Sequence, residues 1–309
     1  MATDVAVIVV SYNTCALLRD CLQSVYASPS VPGEVFVVDN ASADGSQAMV
    51  ASEFPGVTLI ALERNLGFAG ANNVALRRCR ASRVLLLNPD ATLAPDALAR
   101  LDATLDRWPD AAAAGPRILN ADGTLQSCGY RFPTLLSEIR QSKRVGRLLS
   151  WVVLPEPEPG SVVPQGAAEV DWCDGACMLL RREALDAVGL LDEQYFLYTE
   201  ELDWCFTARR AGWRIIVDPD AVVWHHRGQS SQSTGTGALS TALLVETRLR
   251  YYRKNHSRTT AVAAALILAA GYAKQWRLDP AASSAKLHGV GRWLAAGISR
   301  QPRADAHLG

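Results

Sequence analysis

The chain has 309 residues, 49% of them hydrophobic, with 31 Lys/Arg matched by 31 Asp/Glu. That is enough apolar material for one large α/β domain with an appendage, and it speaks against two equal domains; no nucleic-acid partner is expected, the basic residues of the C-terminal region being interleaved with apolar ones as in a membrane-surface element. Seven cysteines, scattered and odd in number, exclude a disulfide framework and read as reduced core residues.

The segment Met1-Ala2-Thr3-Asp4 runs straight into an apolar stretch without the basic region and cleavage site of a signal peptide, which predicts a cytoplasmic protein. Residues 5–10 are continuously apolar and β-branched, as a strand buried on both faces requires. Asn13-Thr14 then caps a helix running to about residue 26. Strands over 34–39, 57–62 and 83–87 alternate with helices over 45–54, 69–79 and 95–108. Such alternation predicts βαβ units, a mostly parallel central sheet flanked by helices, and ligands gathered beyond the carboxyl ends of the strands.

Polar residues stand at those ends: Ser11-Tyr12-Asn13 after the first strand, Asp39-Asn40 after the second, Arg64-Asn65 after the third and Asn88-Pro89-Asp90 after the fourth. One such end is ordinary loop chemistry; four in succession describe a crevice. Neither G-x-G-x-x-G nor a Walker A loop follows the first strand, which argues against a dinucleotide or P-loop site.

Between 130 and 166 the pattern breaks into basic and apolar residues and a Pro/Glu-rich linker, expected to form a mobile basic amphipathic insertion. The sheet is then expected to resume at 171–173, 178–181, 215–217 and 222–225. Within that stretch Glu200, Glu201 and Asp203 open a helical pattern through Leu202, Cys205, Phe206 and Arg209, closed by Gly212. Three carboxylates within four residues, with His225 some twenty positions on, are costly to hold together unless a cation or a proton sits among them.

Residues 246–309 carry 11 Lys/Arg against 3 Asp/Glu, leaving 20 against 28 in residues 1–245. Residues 236–309 are expected to form a basic amphipathic helical extension. Its uncharged run over 259–273 is shorter than the ~18 to 20 residues a membrane span needs. It either lies on an anionic membrane surface or packs on the core, and the sequence leaves both open.

The chain resembles the family 2 glycosyltransferases of GT-A fold, their rhamnosyltransferase-like branch in particular. The resemblance covers about residues 5–235 and rests on Val9-Val10-Ser11-Tyr12-Asn13, Val37-Val38-Asp39-Asn40-Ala41-Ser42-Ala43-Asp44-Gly45, Arg64 to Asn73, Leu87-Asn88-Pro89-Asp90, Asp174-Gly175-Ala176, Glu200-Glu201-Leu202-Asp203 and Val223-Trp224-His225. It implies that Ser11, Tyr12, Asn13, Asp39, Arg64, Asn65, Asn72, Asn88 and Asp90 line a nucleotide-sugar site, with Tyr12 flanking the base and Asp39 accepting from the ring N3–H of uracil or thymine. Asp90 and His225 would hold Mn2+ or Mg2+. Asn88 stands where the family's D-x-D motif has its first acid. Glu201 would be the catalytic base, with Glu200 and Asp203 beside it, and Gly175, Ala176 and Trp204 would lie on the acceptor side.

The implied activity is inverting transfer of a sugar, rhamnose from dTDP-rhamnose by preference, onto a glycan or polyprenyl-linked acceptor, by an enzyme resting peripherally on the inner face of the plasma membrane. A processive synthase would need membrane spans and a Gln-x-x-Arg-Trp motif, neither of which is found. A catalytically silent, membrane-bound nucleotide-sugar-binding or scaffold protein is the alternative of a different class.

Overall fold

The computed structural model describes residues 3–30, 32–141, 161–226, 237–275 and 280–295. The first apolar run is strand β1 (Thr3–Ser11), and the alternation continues as α1 (Cys15–Tyr26), β2 (Pro32–Asp39), α2 (Ser46–Glu53), β3 (Thr58–Ala61), α3 (Gly67–Leu76), β4 (Arg83–Leu87), β5 (Ala91–Leu93) and α4 (Ala97–Arg107). There follow β6 (Ala111–Leu119), β7 (Leu125–Ser127), β8 (Gly129–Tyr130), α5 (Leu135–Gln141), β9 (Ser161–Val162), β10 (Ala168–Val170), β11 (Cys177–Arg181), α6 (Arg182–Val188), α7 (Glu200–Arg210) and β12 (Arg214–His225). Three helices close the described chain: α8 (Gly237–Asn255), α9 (Arg258–Gln275) and α10 (Pro280–Ala295).

The central sheet runs β10-β12-β6-β11-β4-β1-β2-β3, with β5 on β12 and β7 on β6. β1, β2, β3 and β4 are parallel neighbours and β12 is parallel to β6, whereas β11 is antiparallel to both β4 and β6. Leu18, Cys21, Leu22 and Val25 of α1 recur at helical spacing and pack on the same core as Val5, Val7, Val9 and, from α4, Leu98, Leu101 and Leu105. Burying each such side chain contributes about 1.5 to 3 kcal/mol before the entropy of ordering it is counted.

Contacts divide the chain into two compact units. The first holds the sheet with α1 to α4, α6 and α7. The second holds α5, residues 194–199 and α8 to α10. Within this second unit Glu138 accepts from Arg248 at 2.9 Å and Tyr252 at 3.0 Å, and Thr199 bonds Thr247 at 3.1 Å. Part of the expected insertion, residues 142–160, lies outside the described residues, as does the chain beyond residue 295.

The structure departs from the sequence expectation in four places. Residues 171–173 form no strand; β10 lies just before them, and the Asp171 and Trp172 N–H groups both turn to the Tyr130 carbonyl. The expected strands at 215–217 and 222–225 are one strand, β12, whose register against β6 shifts between Asp218 and Val222, around Pro219, which has no N–H to donate. β6 opens with Ala111-Ala112-Ala113-Ala114, weak strand formers placed centrally because their small side chains are wholly buried between neighbours. The cap of α1 is not local: Thr14 makes no side-chain cap bond, and Asp44 Oδ2, in the loop after β2, accepts the Cys15 N–H at 2.7 Å.

Candidate active site

Parallel pairing registers Ser11 with Asp39, so the ends of β1 and β2 open side by side. Asp39 is fully buried; its Oδ2 accepts the Ser42 N–H at 3.0 Å and Gln47 Nε2 at 2.7 Å, while Oδ1 has no hydrogen-bond partner among the described residues. Ser11 bonds Thr14 at 2.9 Å. Asn13, at φ 53°, ties the first loop to the second, donating from its N–H to Ser42 Oγ at 3.0 Å and accepting the Ala43 N–H on Oδ1 at 2.8 Å.

Asn65 Oδ1 accepts from Asn40 Nδ2 at 2.7 Å and from the Gly67 N–H at 2.9 Å, which fixes the turn into α3. Asn72 is buried and donates to the Phe68 carbonyl one turn back. Tyr12 is half-buried and Arg64 exposed at the mouth of these loops. The asparagines Asn13, Asn65 and Asn72 are thus engaged with the protein itself, and they shape the walls of the crevice.

Antiparallel pairing of β12 with β5 sets His225 opposite Ala91, beside the turn that carries Asn88 and Asp90. His225 Nε2 lies 3.2 Å from Asp90 Oδ1 and 3.4 Å from Asn88 Nδ2, and both His225 and Asp90 are buried. The other ring nitrogen, Nδ1, is 2.7 Å from Oε1 of Gln126 on β7. Gln126 went unmarked in the sequence, because the three-residue strand holding it has no periodicity to announce it. His226 contributes its backbone N–H to the Asp90 carbonyl at 2.9 Å.

The acids stand at the start of α7, after two non-glycine residues at positive φ, Tyr198 at 71° and Thr199 at 78°. For a β-branched residue such as Thr199 that conformation is strained, and strain of this kind collects at functional sites. Glu200 and Asp203 are buried, and Glu201 is half-buried. Gly175 packs against Glu201: a Cβ there would stand 3.4 Å from Cβ and Cγ of the acid. Burial, and then the charges of Glu201 and Asp174, push the Glu200 carboxyl well above its ordinary value.

Asp174, which the resemblance leaves without a role, lies beside these residues in the loop before β11. It accepts the Ala176 N–H at 3.0 Å and the Ser127 hydroxyl at 3.3 Å, and the Tyr130 hydroxyl stands 3.5 Å away. Trp172 stacks on Tyr130 at 4.2 Å between ring centroids. Ala176 is buried, its carbonyl accepting the Asn88 N–H at 2.9 Å. Trp204, expected on the acceptor side, is packed in the core, and its indole N–H reaches the Gly189 carbonyl at 2.8 Å.

A family model described as Glycosyltransferase like family 2 matches residues 2–253. The N-acetylglucosaminyl-diphospho-decaprenol L-rhamnosyltransferase of Mycobacterium tuberculosis is 30% identical over 246 residues, covering 74% of this chain and 78% of that protein. The succinoglycan biosynthesis protein ExoO of Rhizobium meliloti is 38% identical over 231 residues, 74% of this chain and 62% of its own. Among solved structures, the mannosyltransferase PcManGT from Pyrobaculum calidifontis, in complex with GDP-Man and Mn2+, aligns over 100% of this chain and 77% of its own, with a TM-score of 0.56 at 20% identity. The polar strand ends, the acids of α7 and the matched family agree, and the chain belongs to glycosyltransferase family 2: it is a glycosyltransferase on a GT-A fold.

Proposed function

We propose that this enzyme transfers a sugar, L-rhamnose from dTDP-rhamnose as first choice, onto a hydroxyl of a lipid-linked or cell-surface glycan, with inversion and with a divalent cation. The observation that carries the reading is the approach of Asp90 Oδ1 and His225 Nε2 to 3.2 Å in a buried corner at the strand ends. A carboxylate oxygen and an imidazole nitrogen facing each other suit Mn2+ or Mg2+, the histidine favouring Mn2+. No group of three His, Cys, Asp or Glu residues gathers among the described residues, so diphosphate oxygens and water would fill the remaining positions. Asn88 would add its carbonyl oxygen if its amide turned over. When bound, the cation neutralises charge on the departing diphosphate.

The protein's part is to hold and to deprotonate. Glu201, beside Gly175, takes the proton of the acceptor hydroxyl while that oxygen bonds to the anomeric carbon. The bond from that carbon to the diphosphate breaks, its electron pair leaving with the nucleoside diphosphate. One in-line displacement inverts the configuration, and no protein nucleophile takes part. Burial and the neighbouring charges favour the protonated form of Glu200, in which it can donate to an acceptor oxygen. The donor choice draws on the rhamnosyltransferase relative, whose name also supplies the class of lipid-linked acceptor.

A membrane-bound acceptor calls for a membrane-facing surface. Leu266 of α9 is 67% exposed, with Ala270 and Ala273 on the same helix face, and residues 246–309 are strongly basic. No described helix is long and apolar enough to cross a membrane, so the fitting partner is an anionic lipid surface.

The test is release of dTDP from dTDP-rhamnose with a polyprenyl-diphosphate-linked N-acetylglucosamine acceptor, with Mn2+, Mg2+ or EDTA. Acceptor-dependent release that EDTA abolishes supports the reading. Release from another donor alone replaces the sugar, and full activity in EDTA removes the metal.

A further inference from the structure

We propose that Asp122, Thr124, Asn120 and Gln126 form a one-directional hydrogen-bond relay that fixes the neutral tautomer of His225, placing its proton on Nδ1 and its Nε2 lone pair beside Asp90. The inference rests on the metal site proposed above. The relay starts on the hairpin joining β6 to β7, closed by the Asn120 N–H to Thr124 carbonyl bond at 2.8 Å and the Gly123 N–H to Asn120 carbonyl bond at 2.9 Å.

The direction follows from what each group can do. Asp122 is exposed, and hydrogen bonds from the Thr124 hydroxyl and N–H hold its carboxyl below the ordinary value, so it only accepts. The Thr124 hydroxyl, 2.6 Å from Asp122 Oδ1, therefore spends its single proton there. Its oxygen can then only accept, and it takes Asn120 Nδ2 at 2.9 Å. That orients the Asn120 amide, so Oδ1 accepts Gln126 Nε2 at 2.8 Å. Gln126 Nε2 gives its second proton to the His225 backbone carbonyl at 3.1 Å, an acceptor that fixes the same amide orientation independently. Gln126 Oε1 is left facing His225 Nδ1 at 2.7 Å, so Nδ1 must carry the ring proton.

In its neutral form the ring then presents its lone pair on Nε2, the nitrogen 3.2 Å from Asp90 Oδ1. Without the relay the imidazole could place its proton on Nε2 and satisfy Asp90 by hydrogen bonding, which would compete with a cation. Partners that orient a ligating histidine are worth about 10- to 100-fold in metal affinity. Gln126 is thus a positioning residue acting through His225.

Two readouts test the relay on the 309-residue chain. Nitrogen-15 NMR of the metal-free protein, with the His225 signal assigned from His225→Gln, is expected to show the proton on Nδ1. Gln126→Leu and Thr124→Val should shift His225 toward the Nε2–H form, and Gln126→Glu, which keeps an oxygen acceptor, should preserve Nδ1–H. Mn2+ titration in the presence of dTDP, followed by electron paramagnetic resonance, is expected to show about 10- to 100-fold weaker binding for Gln126→Leu, a smaller loss for Thr124→Val, and rescue by Gln126→Glu.

A wild-type His225 protonated on Nε2 would overturn the relay, and so would a folded Gln126→Leu that binds Mn2+ as wild type does. If wild type binds no Mn2+, the metal reading fails and the NMR tautomer alone decides the relay. Thr124 is exposed on the hairpin, so its variant decides the matter if Gln126→Leu does not fold.

Discussion

Gln47 donates from Nε2 to Oδ2 of Asp39 at 2.7 Å, and the Ser42 N–H reaches the same oxygen, so both bonds fall on one side of the carboxylate. The other oxygen, Oδ1, is left buried with no hydrogen-bond partner among the described residues. An unmet buried acceptor costs about 1 to 3 kcal/mol, and the imide N–H of a uracil or thymine ring would meet it. In Asp39→Asn the side-chain oxygen is drawn toward Gln47 and Ser42, and an NH2 group faces the ring N–H. Binding of dTDP by titration calorimetry is expected to weaken about 5- to 150-fold. Gln47→Leu, which frees the carboxylate to turn, should weaken it less. Unchanged affinity in Asp39→Asn would remove Asp39 from base recognition.

The two glutamates at the start of α7 differ in burial, and their amide variants should differ in kind. Glu201→Gln keeps the shape beside Gly175 and loses the base, so kcat should fall about 100- to 10,000-fold with the donor KM little changed. Glu200→Gln retains a donor in place of a protonated carboxyl and should keep most of the rate. Steady-state kinetics of the two variants decide the assignment: a fully active Glu201→Gln would exclude it as the base.

The raised carboxyl of Glu200 also fixes a stability dependence on pH. Between the ordinary carboxylate value of 4.5 and its own higher value, the folded chain keeps a proton that the unfolded chain has lost. The contribution to stability is therefore complete below the ordinary value and is lost as pH rises through the folded one. Glu200→Gln removes this titration. Its Tm should exceed that of wild type on the alkaline side, with the gap narrowing as pH falls toward the ordinary carboxylate range. Melting curves at about pH 5 to 9 provide the check; a gap that does not widen with pH would contradict a protonated Glu200.

The sheet was legible because its strands are apolar on both faces, as at Val5 to Val9, and because α1 repeats apolar residues at 18, 21, 22 and 25. β6 was not, since four alanines favour helix and only their enclosure in the sheet makes a strand of them. The same limit applies at the site. Asp39, Asp90, His225 and the α7 acids carry chemistry in their residue types and could be named, but Gln126 acts by facing His225 across 99 positions, a relation no local pattern encodes. Trp204 shows the converse: an aromatic beside acids suggests stacking on sugar, and only burial shows that its indole is engaged with Gly189.

The second unit offers the remaining test. Leu266 projects from α9, and the closing stretch of the chain is basic, so anionic lipid satisfies both the apolar residue and the charge. Leu266→Glu places a negative charge on that face and loses its apolar contact. Co-sedimentation with vesicles of phosphatidylglycerol and phosphatidylcholine is expected to capture wild type at low salt, to release it as salt screens the charge, and to capture Leu266→Glu far less. Because Leu266 is exposed, the variant should melt with wild type, within about 0.5 kcal/mol of stability. Equal capture of wild type and Leu266→Glu would show that this face does not meet lipid. Capture by neutral vesicles alone would show that the basic residues play no part.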